Sequence, residues 1–215
     1  MMDQEIEIIS SETRKEKIKN FFINKKKTII VVITFFLLIL FSFFFYQEYE
    51  KGHREWLGNK YNTTIIQYET GDKSKILSSM KEIIEDKDKT YSPLAFFYLL
   101  DNDLITSKEE INKFFDILIN EIDLDKENKN LTIFKKGLFN SEFANENELL
   151  NILNPVIKSE SIWKPHALYL MAEYYFAKNE KQKSKEFFEQ LVSLENISTK
   201  IKLEAQKRLR SNFSE

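Results

Sequence analysis

Residues 28–46, TIIVVITFFLLILFSFFFY, run for nineteen positions without a charge. As a helix rising roughly 1.5 Å per residue, such a run is about 28 Å long, close to the hydrocarbon thickness of a bilayer. Only Thr28, Thr34 and Ser42 interrupt the apolar character, and their hydroxyls can bond back to helix carbonyls. A short charged tail precedes the run and a long, mostly polar region follows it. The chain therefore reads as a domain tethered to a membrane.

The flanks set the orientation. The tail, residues 1–27, holds Arg14, Lys15, Lys17, Lys19, Lys25, Lys26 and Lys27, the last three abutting the apolar run. The stretch 47–66 holds only Lys51, Arg54 and Lys60. Lys and Arg are retained on the cytoplasmic side, so the tail is expected to stay in the cytoplasm and the C-terminal region to be translocated. A cleaved signal peptide would have a shorter apolar core ending in small residues. Here the run ends in Phe43, Phe44, Phe45 and Tyr46, which reads as an uncleaved signal anchor. Within the tail, Thr13 and Glu16 have capping-box spacing ahead of Ile18, Phe21 and Phe22. Two readings of it stand side by side: a short helix on the inner leaflet, or a basic tail that only sets topology.

Composition narrows the function classes. The chain has no cysteine, which removes disulfides, Cys-ligated zinc and thiol nucleophiles. The tail carries +2 and the whole chain −2, so residues 47–215 carry −4. An acidic domain is a poor match for nucleic acid. Four glycines and three prolines in 215 residues leave little turn chemistry for sheets, and the fold class expected is all-α. His53 and His166 are the only histidines, without metal-ligand spacing. Neither a glycine-rich phosphate loop nor a G-x-S-x-G elbow occurs. No enzyme activity, cofactor, metal or small-molecule substrate is expected.

The region beyond the apolar run repeats. Thr64, Gly71, Ile76, Met80 and Ile83 have the same internal spacing as Leu99, Thr106, Ile111, Phe115 and Leu118. Gly137, Ala144, Leu149, Leu153 and Val156 repeat it, as do Ala172, Asn179, Ser184, Phe188 and Leu191. In each set the second member falls in a polar turn, and the last three form the buried stripe of the helix after it. The turns recur at 35 to 38 residues, the period of tetratricopeptide helical hairpins. A hairpin of this kind exposes an apolar face that only a neighbouring hairpin can cover, so several must stack. The expected organisation is a tail (1–27), a transmembrane anchor (28–46), a juxtamembrane helix (47–60) and a degenerate tetratricopeptide-like α-solenoid (61–211). The solenoid has about four hairpins and ends in a capping helix (STKIKLEAQKRL) with Ile201, Ala205 and Leu209 on one face.

In such a solenoid the first helices of the hairpins line the concave face. The residue three before each small position is expected there: Tyr61, Phe96, Phe134 and Tyr169, joined by Tyr68 and Phe176. This column is either a ladder of rings for apolar peptide segments or packing between hairpins. It lacks the Lys and Asn with which tetratricopeptide domains clamp a C-terminal carboxylate.

Taken together, the basic tail, single anchor, translocated degenerate repeat and KIKLEAQKRL helix resemble YfgM-like ancillary subunits of the Sec translocon, the short α-proteobacterial versions in particular. YSPLAFFYLL, IWKPHALYLMAEYYF and QKSKEFFEQLV are similar to that family's Ala-containing helices alternating with turns. The resemblance spans about residues 10–211. It implies partners in the Sec translocon subunits and a membrane-anchored periplasmic chaperone, and it transfers no catalytic residue. The alternative expectation is an envelope scaffold serving cell-wall or division machinery.

Overall fold

The structure, a computed structural model, describes residues 16, 19, 21–68, 73–195 and 197–213. Among the described residues all regular secondary structure is helical; residues 21–24 are helical, and nine helices follow them. They are α1 (Lys26–Tyr68), α2 (Lys73–Glu85), α3 (Tyr91–Asp101), α4 (Lys108–Asn120), α5 (Lys126–Asn140), α6 (Glu146–Ile157), α7 (Lys164–Ala177), α8 (Lys181–Val192) and α9 (Thr199–Phe213). The chain divides into two units, Met1–Trp56 and Leu57–Glu215.

In the first unit α1 is long and apolar enough to cross a membrane, and none of its most apolar window is buried. Its side chains are those a hydrocarbon solvent would accept: Phe41, Phe45, Leu38 and Val31 are all exposed. A helix that is apolar on every side and covered by no protein satisfies its own backbone, as lipid requires. Thr13 and Ile18 of the expected tail helix lie outside the described residues, whereas Phe21 and Phe22 are helical and exposed.

The second unit is a row of stacked helices with three successive cores. Leu57, α2, α3 and α4 build the first, centred on Met80, Phe96, Leu99 and Phe115. Leu149, Leu153 and Val156 of α6 meet Met171 and Tyr175 of α7 in the second. Leu168, Ala172, Phe188, Leu191 and Ala205 join α7, α8 and α9 in the third. Ile119 packs against both the first and second cores, and Ile157 and Phe187 against both the second and third. Each core is thus closed by the next helices in the chain, as the repeat spacing requires. The unit begins at Leu57 rather than at residue 61, because the Leu57 side chain is already enclosed by the first core. It extends past residue 211, since Phe213 packs against the third.

The repeat positions behave alike. In all four units the first, third, fourth and fifth members are buried, from Thr64, Ile76, Met80 and Ile83 to Ala172, Ser184, Phe188 and Leu191. Among second members, Thr106 and Asn179 are exposed in turns, Ala144 is buried at its turn, and Gly71 lies outside the described residues. Asn179 has φ 61° and Asp103 φ 53°, left-handed values that glycine would usually supply at a helix end. The motif closes with Glu180 N–H donating to Tyr175 O and Leu104 N–H to Leu99 O, both at 2.9 Å.

Helix starts are written in the sequence. The Asn145 amide oxygen accepts from Glu148 N–H while the Glu148 carboxylate accepts from Asn145 N–H, both at 3.0 Å, a reciprocal capping box. Asp125 accepts from Glu127 N–H and Asn128 N–H, and these hydrogen bonds, Asn128 first, hold its carboxyl below the usual range. Glu146 receives Lys183 at 2.8 and 2.9 Å and the Tyr175 hydroxyl at 3.1 Å. Lys183 holds the Glu146 carboxyl low, and burial, with the bond to Glu146 second, pushes Tyr175 up to about 12. A folded carboxyl held below its unfolded value stabilises the fold above that unfolded value, and the contribution fades as pH falls through the folded one. The network therefore ties α6, α7 and α8 at neutral pH and loosens in acid.

Close helix approach is most severe at Gly137 of α5. A Cβ there would stand 2.3 Å from Leu153 Cδ2 and 2.8 Å from its Cγ, inside a core where Leu153 has no exposed surface. In the fourth hairpin the same approach is sealed by Ser184, whose buried hydroxyl donates to Ala172 O at 2.8 Å. Glycine costs a helix interior roughly 1 kcal/mol against alanine, so Gly137→Ala would be stabilising if propensity decided the matter. Overpacking decides it instead. Gly137→Ala is expected to destabilise the full-length protein by about 1–3 kcal/mol in urea titrations in detergent. In the Leu153→Val background the penalty should shrink; a stabilised Gly137→Ala would contradict the packing described.

Candidate functional site

The first helices of successive hairpins, α3, α5 and α7, are each packed on two sides; α3 and α7 are apolar nearly all round, whereas α5 (KENKNLTIFKKGLFN) is about half polar. In α3 (YSPLAFFYLLD) the residues Ser92, Ala95, Phe96 and Leu99 are buried, while Phe97 and Leu100 turn the other way and are only partly covered. Ser92 fixes this rotation, its buried hydroxyl donating to Ile83 O at 2.8 Å. In α5, Ile133 and Gly137 face the core, and Phe134 and Leu138 lie beside them on the next face. In α7, Leu168, Met171 and Ala172 are core, and His166, Tyr169, Leu170 and Glu173 look outward.

Those outward residues form two depressions. One, of about 660 Å³, lies between α5, α7 and α9, with a floor of Phe134, Leu138, Tyr169, Leu170 and Ile201. The other, of about 550 Å³, lies between α3 and α5 and is built on Phe97, Leu100, Phe139 and Phe143. Leu138 lines both and is half exposed at 52 %, so the two meet across α5. A third depression of similar size, about 650 Å³, is lined by Glu85, Lys87, Lys113, Asp116 and Glu121. It is bridged by Lys87–Glu121 at 2.6 Å and Lys113–Glu85 at 3.5 Å. Exposed ion pairs of that sort fill a surface and contribute little energy. An apolar trough with a few convergent polar groups is the better candidate for binding.

Charges edge the trough. Lys135 Nζ stands 3.6 Å from the Phe97 ring centroid and Lys108 Nζ 3.8 Å from that of Phe143, cation–π placements that cap the rings without closing the space above them. At the other end Arg208 of α9 meets Glu173 of α7, with Nε 2.9 Å from one carboxylate oxygen and Nη2 donating to the other at 3.2 Å. The Tyr169 hydroxyl is raised by burial first and by Glu173 nearby, against the opposing pull of Arg208. Trp163 stacks on Phe134 at 6.0 Å and 17°, and His166 closes on both rings at 5.2 and 5.8 Å. This aromatic cluster stiffens the wall between α5 and α7.

The expected ring column divides. Phe134 and Tyr169 line the trough. Phe96 does not: it is fully buried, edge-on to Phe115 at 4.8 Å, and its neighbour Phe97 takes the outward place. Tyr61 packs against the first core near Tyr91 and Tyr98, with its hydroxyl raised by burial. Phe176 is covered by Phe213 of α9 at 6.0 Å. The side chain of Tyr68 lies outside the described residues. The structure adds Phe97, Leu138, Phe143, Leu170 and Ile201. Ile201 carried a signal, its place on one face of the last helix; that face is a trough wall as well as a cap. Among the described residues no three His, Asp or Glu side chains cluster as metal ligands would.

Stability separates floor from core. Phe96→Ala should cost about 3–5 kcal/mol, whereas Leu138→Gln, half exposed, should stay within about 0.5 kcal/mol of the parent. Urea titrations of the full-length protein in detergent measure both; a neutral Phe96→Ala would place that ring outside the core. No protein-family model, curated protein or solved structure matches this chain, so the functional reading rests on the chemistry of the trough and the anchor.

Proposed function

We propose that this protein is a single-pass inner-membrane adaptor that binds other proteins through the trough on its first-helix face. The observation that carries the reading is the apolar floor from Phe97 and Phe143 through Leu138 to Phe134, Tyr169 and Ile201. It has the chemistry of a groove for an extended or helical segment with apolar side chains. Charged side chains line it as well, and the part-buried Glu173 among them is already met by Arg208, so a passing segment would gain burial without stranding that carboxylate unpaired.

The anchor reading is supported by the exposed apolar helix α1 and the orientation by Lys25, Lys26 and Lys27 at its cytoplasmic end. In this reading the second unit is a tetratricopeptide-like domain working in the periplasm. The resemblance to YfgM-like subunits supplies the setting: proteins emerging from the Sec translocon, with a membrane-anchored chaperone as co-worker. No cofactor and no catalytic step belong to it.

Affinity purification of the tagged full-length protein from mild-detergent extracts tests the setting. Recovery of Sec channel subunits, or of a membrane-anchored prolyl-isomerase-like chaperone, is the expected result. Recovery of cell-wall or division enzymes alone would contradict it and favour an envelope scaffold.

A further inference from the structure

The stretch of α1 just past the apolar run carries a pattern that an anchor does not need. Tyr49 is 67 % and Trp56 52 % exposed, with His53 stacked between them at 6.3 and 5.7 Å. Trp56 lies ten residues beyond Tyr46, about 15 Å along a helix, whereas the headgroup zone is only about 5–8 Å deep on each side. Lipid therefore accounts for Tyr49 but not for Trp56. Between them is Gly52, where a Cβ would meet nothing within 4 Å. No contact among the described residues asks for a glycine at a position where helices disfavour it.

Placed on a heptad, these residues form a seam. Phe35, Ser42, Tyr49 and Trp56 fall at a, and Leu38, Phe45 and Gly52 at d. Beyond the apolar run, Glu50, Lys51 and Arg54 fall at b, c and f, away from the seam, and Arg54 reaches Glu50 on that outer side at 4.0 Å. Glu48 and Glu55 occupy g; His53 and Lys60 occupy e. In a parallel pair each g side chain faces the e position five residues further along the other helix. Glu48 then faces His53, and Glu55 faces Lys60, which also meets Glu82 of its own chain. Glu55 against Lys60 is a pair of opposite charge, and Glu48 meets an imidazole that can donate a hydrogen bond to it, so the flanks of one copy match those of an identical copy in register.

We propose that two copies of this chain pair in parallel through α1 along the seam Phe35, Leu38, Phe45, Tyr49, Gly52 and Trp56. A shared anchor orientation makes parallel the only available sense, and the charge complementarity selects a second copy as the occupant. Gly52 lets the two backbones approach while the rings of Tyr49 and Trp56 pack above and below it, as small residues do at membrane-helix crossings. The pairing rests on the anchor reading of residues 28–46 and not on the trough.

The absence of cysteine makes the test direct. Full-length Tyr49→Cys, Gly52→Cys, Glu50→Cys and Arg54→Cys variants are oxidised with copper phenanthroline in native membranes, and a parallel sample is extracted with alkaline carbonate. A disulfide needs Cα atoms about 4.4–6.8 Å apart, so positions 49 and 52 should give at least about five times the covalent dimer of positions 50 and 54. The product should run at twice the 25.7 kDa monomer, and Gly52→Leu should lower the yield from Tyr49→Cys. No dimer, equal yields at all four positions, or an adduct of another mass would overturn the pairing. Release of the protein by carbonate would instead overturn the anchor, and the pairing with it.

Discussion

No helical hairpin in this chain can cover its own apolar face. That constraint organises the second unit. Ile83, Met80 and Ile76 have no shelter until Phe96 and Leu99 arrive, and the core of Leu149, Leu153 and Val156 on α6 is completed only by Met171 and Tyr175 of α7. Each helix that closes one core opens the need for the next, and α9 covers the third core. There Ala205 is buried while Lys200 and Glu204 stand at the open edge of the trough. The trough follows from the same constraint. First helices held on both sides by packing still have one further face, and in α3, α5 and α7 that face remains apolar.

Much of this was legible in the sequence because burial here is periodic. The spacing of seven, five, four and three residues marks five positions, of which the structure buries the first and the last three in every unit, including the unpromising Thr64 and Ser184. Legibility failed where periodicity did. In α3 nearly every residue is apolar, so the amphipathic phase that separates Phe115 from Lys113 in α4 is missing. Nothing local then distinguishes Phe96 from Phe97. The choice is made at a distance, by the Ser92 hydroxyl on Ile83 O and by the edge-on packing of Phe96 on Phe115. Phe176 was misleading for a related reason: its cover, Phe213, comes from a helix beyond the repeat. The left-handed turns at Asp103 and Asn179 show how a glycine-poor chain fills such positions, with the short polar residues that tolerate positive φ best after glycine.

The anchor and the trough make different demands on phenylalanine and tyrosine. In the apolar run of α1 the rings are exposed and need only an apolar solvent or another helix. In the second unit they are sorted by a single residue's rotation into core and floor. At the surface Lys135 and Lys108 sit beside the floor rings Phe97 and Phe143, with Nζ 3.6 and 3.8 Å from the ring centroids.

The central claim is that this apolar floor is the surface on which other proteins are held. A photoreactive amino acid at Leu138, on the floor, and at the exposed Gln190 of α8, away from it, tests that most directly in living cells. Adducts with other proteins from position 138, and few from position 190, are the result expected. Equal labelling from both positions, or labelling from 190 alone, would contradict it.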